Sequence, residues 1–455
     1  MGEVGTGSSK KAPPRSARRK RPSNALPARA MTLRGPRIPS NPRLARGVLQ
    51  RVLDGVEELL ARADAHLVVD VVGVGLRRVA GDAQLVLDVL GPIQEDKRIG
   101  IHDYPLYNFG FAVSQPDETV KTIETGEPYE IHGAWLQTTN PLACMGADPQ
   151  RLYKALNKLD FIVVVDLFKT PTIAALADVV LPVQTFCERN GIAFVSGAQR
   201  GSTINKVTQV GECKSDMQIN LELGKRWNPE AWPWDNVDDM FTDMLKPTGM
   251  SFEELQKVAP AYQPIEYYRY EKGMLRPDGQ PGFNTPTGRI ELWSNFYSRA
   301  GLDPLPYFEE PEPGPGSTPD LMDEYPLVMT SGARFWGMFH SEHRQIERMR
   351  YYRPWPLMEI HPDTAAKYGI EDGDWVWMEG PMGRAKRKAK LTPQMDRRMV
   401  SCDHGWWFPE GDPEKFYDVF DLNINNTLPW IPGKSGFGSN YKSSICKIYK
   451  VKEGE

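Results

Sequence analysis

Ahead of Tyr104 the chain contains no aromatic side chain, although 17 Tyr, 17 Phe and 12 Trp occur in its 455 residues and a 10% average would place about ten of them there. An opening so poor in large side chains cannot build an ordinary core. Cysteine is also scarce: Cys144, Cys187, Cys213, Cys402 and Cys446 form an odd, scattered set with no C-x-x-C pair. That excludes an obvious zinc or iron–sulfur signature and fits reduced thiols, buried or half-buried. No apolar run approaches the roughly 20 residues needed to span a bilayer. Charge of neither sign dominates, with 55 Lys and Arg against 59 Asp and Glu, a net −4 and a pI near 6.1. Nothing global therefore draws the chain to nucleic acid, and any phosphate must be held by local placement.

The opening divides in two. Residues 1–43 are basic and rich in Arg, Pro and Ser, the composition of a disordered tail. Arg18-Arg19-Lys20-Arg21 is followed by no apolar segment, so no export signal is read and a cytoplasmic location is expected. Residues 44–90 use almost only Val, Leu, Asp, Arg, Ala and Gly. Within them Gly73-Val74-Gly75 lacks the third glycine and following helix of a dinucleotide loop. Residues 1–95 are expected to be a disordered or mistranslated extension, foreign to the remainder of the chain.

From Gly133 the pattern becomes α/β. Ala134–Thr139 is predicted as a strand, Asn140-Pro141 as a loop and Pro149–Lys158 as a helix. Phe161–Asp166 is a continuous apolar run of the kind that forms a parallel strand buried on both faces, with Asp166 at its carboxyl end. Ligands of open parallel sheets gather at such ends. Trp227, Trp232 and Trp234 lie in a connection expected to pack on the sheet. Glu309–Gly316 reads as a proline-stiffened linker. Beyond it, short runs separated by Gly and Asp turns predict an all-β barrel: Leu327–Thr330, Leu357–Ile360, Trp375–Met378, Arg384–Leu391 and Met399–Cys402. The basic run Arg384–Lys390 is read as a solvated strand edge.

Ordered motifs carry more than these periods do. In the middle stand Asp166-Leu-Phe-Lys-Thr-Pro-Thr172, Ala177-Asp-Val-Val-Leu-Pro182, Glu188-Arg-Asn-Gly191, Ser215-Asp216 and Thr285-Pro-Thr-Gly-Arg-Ile-Glu-Leu292. The last third holds Tyr325–Gly332, Ala333–His343, Met358–Asp363, His404-Gly-Trp-Trp-Phe-Pro-Glu410, Asn423–Leu428 and Ser439–Cys446. Together they resemble the C-terminal half of the molybdopterin-guanine-dinucleotide enzymes of the dimethyl sulfoxide reductase family. The resemblance implies an α/β dinucleotide-binding domain over residues 96–320, then a double-psi barrel over 325–455. It also implies molybdopterin guanine dinucleotide as cofactor, in the bis form with molybdenum or tungsten.

Residue by residue, the resemblance places Asp216 on the guanine edge. A carboxylate there accepts the adjacent N1–H and N2–H donors in a two-point, charge-assisted contact. Asp166 would hold ribose hydroxyls, with Gln184 and Asn140 nearby. The plain alternatives are a helix cap for Asp216 and a strand-end turn for Asp166. Where the family carries Glu, this chain has Pro171, and any contact of that Glu is lost. Thr330, Ser331 and Gly332 would approach the phosphates of a second dinucleotide, Arg334 would offer a forked cation to a pyrophosphate, and His340 and Ser341 would face the pterin. His404 would line the pocket, Asn425 and Asn426 would match a pterin ring, and Lys442 would lie near the cofactor. His340 and His343 are otherwise surface-loop histidines, and Trp406 and Trp407 are read as core or pocket wall.

The family's metal ligand and its cysteine motif for an iron–sulfur cluster belong to an N-terminal half that these motifs do not include. No catalytic residue and no metal ligand is therefore assigned. The chain is expected to be inactive alone, and an N-terminal half or an electron-transfer subunit is the expected partner. Two further readings stay open: part of the family's non-redox hydratase and transhydroxylase branch, or a binding module complemented by a separate chain.

Overall fold

The computed structural model describes residues 97–108, 113–195, 200–262, 266–331, 335–436, 442–452 and 454. Gly332, Arg334 and the whole opening, including Gly73 and Gly75, lie outside them.

A three-stranded parallel sheet forms from β1 (Gly133–Gln137), β2 (Phe161–Asp166) and β3 (Val179–Pro182) in that order. In β2 the residues Ile162 to Val165 are all buried, as the unbroken apolar run dictates. Between β1 and β2, helix α1 (Pro149–Leu156) starts where Asp148 accepts the Arg151 backbone N–H at 2.9 Å and Pro149 fills the first turn. Between β2 and β3, α2 (Pro171–Leu176) is capped by Thr170, and Pro171 occupies its first position. A proline costs nothing there, because the first-turn N–H has no helical partner.

Farther along, β4 (Gly191–Val195), β5 (Arg200–Ile204) and the short β6 (Ala261–Tyr262) make a separate antiparallel sheet. Helix α3 (Asp216–Trp227) precedes α4 (Val237–Leu245) and α5 (Phe252–Val258). Trp227 packs on the parallel-sheet core as expected. Trp232 and Trp234 go elsewhere: they meet edge to face, 6.0 Å between centroids, in a cluster with Met240, Phe241 and Phe252. Gly224 in α3 makes room for this, since a Cβ would lie 2.1 Å from the Trp232 ring.

The last third closes into a six-stranded barrel, ordered β10-β8-β11-β7-β12-β9. Its strands are β7 (Leu327–Thr330), β8 (Leu357–Ile360), β9 (Trp375–Gly380), β10 (Gly383–Leu391), β11 (Met399–Cys402) and β12 (Ser444–Lys450). The reading of Arg384–Lys390 as a strand edge is corrected here. β10 pairs with β9 along Gly383–Lys388 and with β8 along Lys388–Leu391, which places it inside the closed barrel and not at a sheet edge. Arg387 points inward and is fully buried, donating to the carbonyls of Leu422 (2.5 Å) and Asp403 (3.1 Å). The outward cations cover tryptophans: Arg384 lies 3.9 Å from the Trp377 ring and Lys388 4.7 Å from that of Trp355.

The Asn-rich turn ties the barrel to the sheet region. Asn423 Nδ2 donates to Leu142 O at 2.8 Å and Asn425 Nδ2 to Gly146 O at 2.6 Å. Asn425 O in turn accepts from Asp148 N at 3.2 Å, next to the N-terminus of α1.

Candidate functional site

A hydrogen-bonded chain of three side chains runs from the middle of β1 past its carboxyl end at Gln137 to the start of α3. Trp135 Nε1 donates to Gln137 Oε1 (2.9 Å), which orients the amide so that Gln137 Nε2 donates to Asp216 Oδ1 (2.7 Å). Asp216 opens α3, but the cap is Ser215, whose side chain accepts the Gln218 N–H. The helix-cap alternative for Asp216 therefore falls away, and among the described residues no hydrogen bond engages its Oδ2.

Asp166 ends β2 and accepts the Leu167 N–H at 2.7 Å. Burial pushes its carboxyl up to about 6 against that hydrogen bond and one from Phe168, and the charges of Glu342 and Asp216 push the same way. A carboxyl in this state takes hydroxyl donors readily once ionised. Asn140 is buried, accepts the Thr172 hydroxyl at 2.7 Å, and has its Nδ2 without a partner among the described residues. A buried unpaired donor at a sheet's ligand end fits a bound acceptor. Gln184 is half-buried and donates to Gln209 Oε1 at 2.8 Å. Glu188 is structural: its carboxylate accepts from Thr185 and Val210, and these bonds hold it below the usual range. Asp178 accepts the Ile162 N–H and is structural too.

The barrel loop after β7 faces the same end. Ser341 is buried with its side chain against the Cys144 sulfur, whose thiol is raised chiefly by burial. His340 Nδ1 and His404 Nε2 are 3.0 Å apart. Arg344, buried among them, donates to His340 O (2.9 Å) and His404 O (3.2 Å) and lies 4.4 Å from the Trp406 ring. Burial lowers its guanidinium to about 9. His343 contacts Gly337 O at 3.2 Å, a loop-closing role. Trp406 and Trp407 are buried walls, and Trp407 Nε1 donates to Ser341 O.

The structure therefore brings Asn140, Asp166, Asp216, Ser341, His340 and His404 around the junction of sheet and barrel. Thr330 ends β7 and Ser331, buried, follows it, and Lys442 is exposed. Asn425 uses its amide on Gly146, and Asn426 donates to Phe420 O with its Oδ1 buried and without a partner among the described residues. Sequence reasoning missed Gln137, Glu342, Arg344 and Gly405. Only Gln137 left a signal, as the polar end of a predicted strand.

Two families match this chain: "Molybdopterin oxidoreductase" over residues 69–226 and "Molydopterin dinucleotide binding domain" over residues 327–426. The first match begins upstream of the boundary expected near residue 95. Acetylene hydratase of Syntrophotalea acetylenica is 33% identical over 68% of this chain, and dopamine dehydroxylase of Eggerthella lenta 30% over 78%. The assimilatory nitrate reductase catalytic subunit of Bacillus subtilis is 28% identical over 68% of the chain. The chain spans 42% of the length of the first two relatives. The solved acetylene hydratase from Pelobacter acetylenicus superposes with a TM-score of 0.72 at 28% identity, over 80% of this chain and 53% of that one.

Proposed function

Because this chain belongs to the molybdopterin oxidoreductases, with homologues in the dimethyl sulfoxide reductase family, we propose that its α/β region and barrel hold both dinucleotides of a bis-molybdopterin-guanine-dinucleotide cofactor. The observation that carries this reading is the Trp135–Gln137–Asp216 chain, which fixes one carboxylate oxygen and leaves Oδ2 without a hydrogen bond among the described residues. Asp216 accepts the guanine N1–H and N2–H, Asp166 binds ribose hydroxyls, and Asn140 Nδ2 and Gln184 complete that end. The barrel is of the double-psi type. Thr330 and Ser331, with Gly332, Arg334 and Lys442, serve the phosphates of the second dinucleotide. His340, Ser341 and His404 lie toward the pterin.

When bound, the cofactor supplies the metal centre, molybdenum or tungsten, at which substrate is transformed. This chain's own residues bind, orient and exclude water. Among the described residues no group of three or more His, Cys, Asp or Glu is placed to hold a metal. The metal's protein ligand and any iron–sulfur cluster come, on this reading, from an N-terminal half. A hydratase or dehydroxylase chemistry is the second reading, favoured by acetylene hydratase and dopamine dehydroxylase among the relatives at 30% identity or above.

Nucleotide release tests the cofactor assignment. Protein purified after co-expression with a family N-terminal half, then treated with acid and phosphodiesterase, should yield GMP. Release of AMP or CMP instead would refute the guanine assignment.

A further inference from the structure

We propose that His340 and His404 form a two-residue proton wire, held in register by Arg344 and Gly405. The rings approach with His340 Nδ1 and His404 Nε2 3.0 Å apart and their planes inclined by 70°. One nitrogen must donate and the other accept. A neutral pair has two arrangements. In the first, His404 Nε2 carries the bridging hydrogen, His340 holds its own on Nε2, and His404 Nδ1 has none. In the second, His340 Nδ1 carries the bridging hydrogen, His340 Nε2 has none, and His404 holds its own on Nδ1.

Passing from the first to the second releases a proton from His340 Nε2, moves one from His404 Nε2 to His340 Nδ1, and takes one up at His404 Nδ1. One proton enters and one leaves, with no net charge and no electron transferred. Running backwards, the same pair takes up a proton at His340 Nε2 and releases one from His404 Nδ1. Two imidazolium rings at this distance would repel, so the contact selects states in which at least one ring is neutral.

The register is built by residues that do not themselves titrate in this exchange. The two histidines lie on loops far apart in sequence, and one buried guanidinium bonds both of their carbonyls. Arg344 also donates to Glu342 O at 3.2 Å, and it forms no ion pair among the described residues. One terminal nitrogen, Nη2, donates to the carbonyls of both loops, while Nη1 holds Glu342 O on the His340 loop. A lysine, with all its donors on one nitrogen, cannot occupy the Nη1 and Nη2 positions together. Gly405 has φ +65°, and a Cβ there would lie 2.6 Å from the carbonyl carbon and oxygen of His340. Only glycine allows so close an approach. Arg344 and Gly405 are positioning residues. Delivery of the proton toward a cofactor rests on the proposed cofactor reading; the pair and its clamp do not.

The test uses the full chain with 15N-labelled histidine and no cofactor, reading the imidazole nitrogen shifts that report tautomer. The seven histidines are assigned by single His→Gln variants. His404→Gln should shift both ring nitrogens of His340, and His340→Gln those of His404, with the remaining rings unmoved. Arg344→Lys should produce the same loss of coupling while its melting curve remains cooperative. Unchanged His340 nitrogens in His404→Gln would overturn the pair. Retention of coupling in Arg344→Lys would overturn the clamp. Should Arg344→Lys fail to fold, the reciprocal histidine variants still decide the pair. Since nothing here needs bound nucleotide, a positive result beside failed nucleotide binding would separate this proposal from the cofactor reading.

Discussion

At the scale of single residues, the two carboxylates of the sheet end make different demands on pH and ligand. Asp166 has its carboxyl raised to about 6 in the folded chain, above the ordinary 3.8. A raised carboxyl favours folding while protonated, and that contribution fades as pH climbs from about 4 through 6. Asp166→Asn, which keeps an acceptor for the Leu167 N–H, should therefore melt higher than the parent at pH 7–8. The gap should close below pH 4. Thermal scans across that range check it, and a parent more stable than the variant at pH 8 would contradict the assignment. Asp216 is poised differently, with Gln137 holding one oxygen. Asp216→Ala should cost on the order of 2 kcal/mol of binding at the guanosine end, the scale of a charge-assisted pair. Calorimetry with parent and variant measures it, and equal affinities would dispose of the role.

Among the elements, the strands bounded by Gly and Asp turns were legible in sequence, and so was β2, because an unbroken run of Val and Ile has few other destinations. β12 was not: Ser-Ile-Cys-Lys-Ile-Tyr-Lys sat inside a stretch read for its site motif. β10 was legible as a strand and misread as an edge. Its charges alternate with Ala385 and Ala389, and only closure of the barrel shows that the inward cation, Arg387, is fully buried. Arg344 and Gly405 were illegible for a related reason, since each acts on a loop some 60 residues away. Gly224 gives a sharp test of packing. In an exposed helix Gly→Ala stabilises by up to about 1 kcal/mol. Here the added methyl would enter the Trp232 ring, so Gly224→Ala should destabilise by about 1–3 kcal/mol, the usual cost of overpacking. Denaturant titration gives the sign directly.

Across the whole molecule, the residues between the two matched families present an unusual surface. Ile290, Leu292, Trp293 and Phe308 are exposed, Leu292 by 84% and Phe308 by 89%. Ser294 N donates to Pro304 O at 2.9 Å, which draws the two ends of this segment together, and apolar groups gathered on a surface are what a partner covers. The chain spans 42% of the length of its first relatives, and on the proposed reading an N-terminal half is the cover. Leu292→Ser combined with Phe308→Ser should leave stability within about 0.5 kcal/mol, as for surface changes generally. The same variant should lower binding of a hydrophobic dye and of a co-expressed N-terminal half; unchanged association would remove this face from the interface. No helix among the described residues is long and apolar enough to cross a membrane.

The central claim, that the sheet end is a guanine-reading dinucleotide site, meets its most direct test in a calorimetric titration of the full chain with GDP and with ADP. GDP should bind, ADP should bind at least about tenfold more weakly because the Asp216 carboxylate repels the adenine N1 acceptor, and Asp216→Ala should abolish the difference. Equal affinity of the parent for both nucleotides, or a preference that survives Asp216→Ala, would contradict the account.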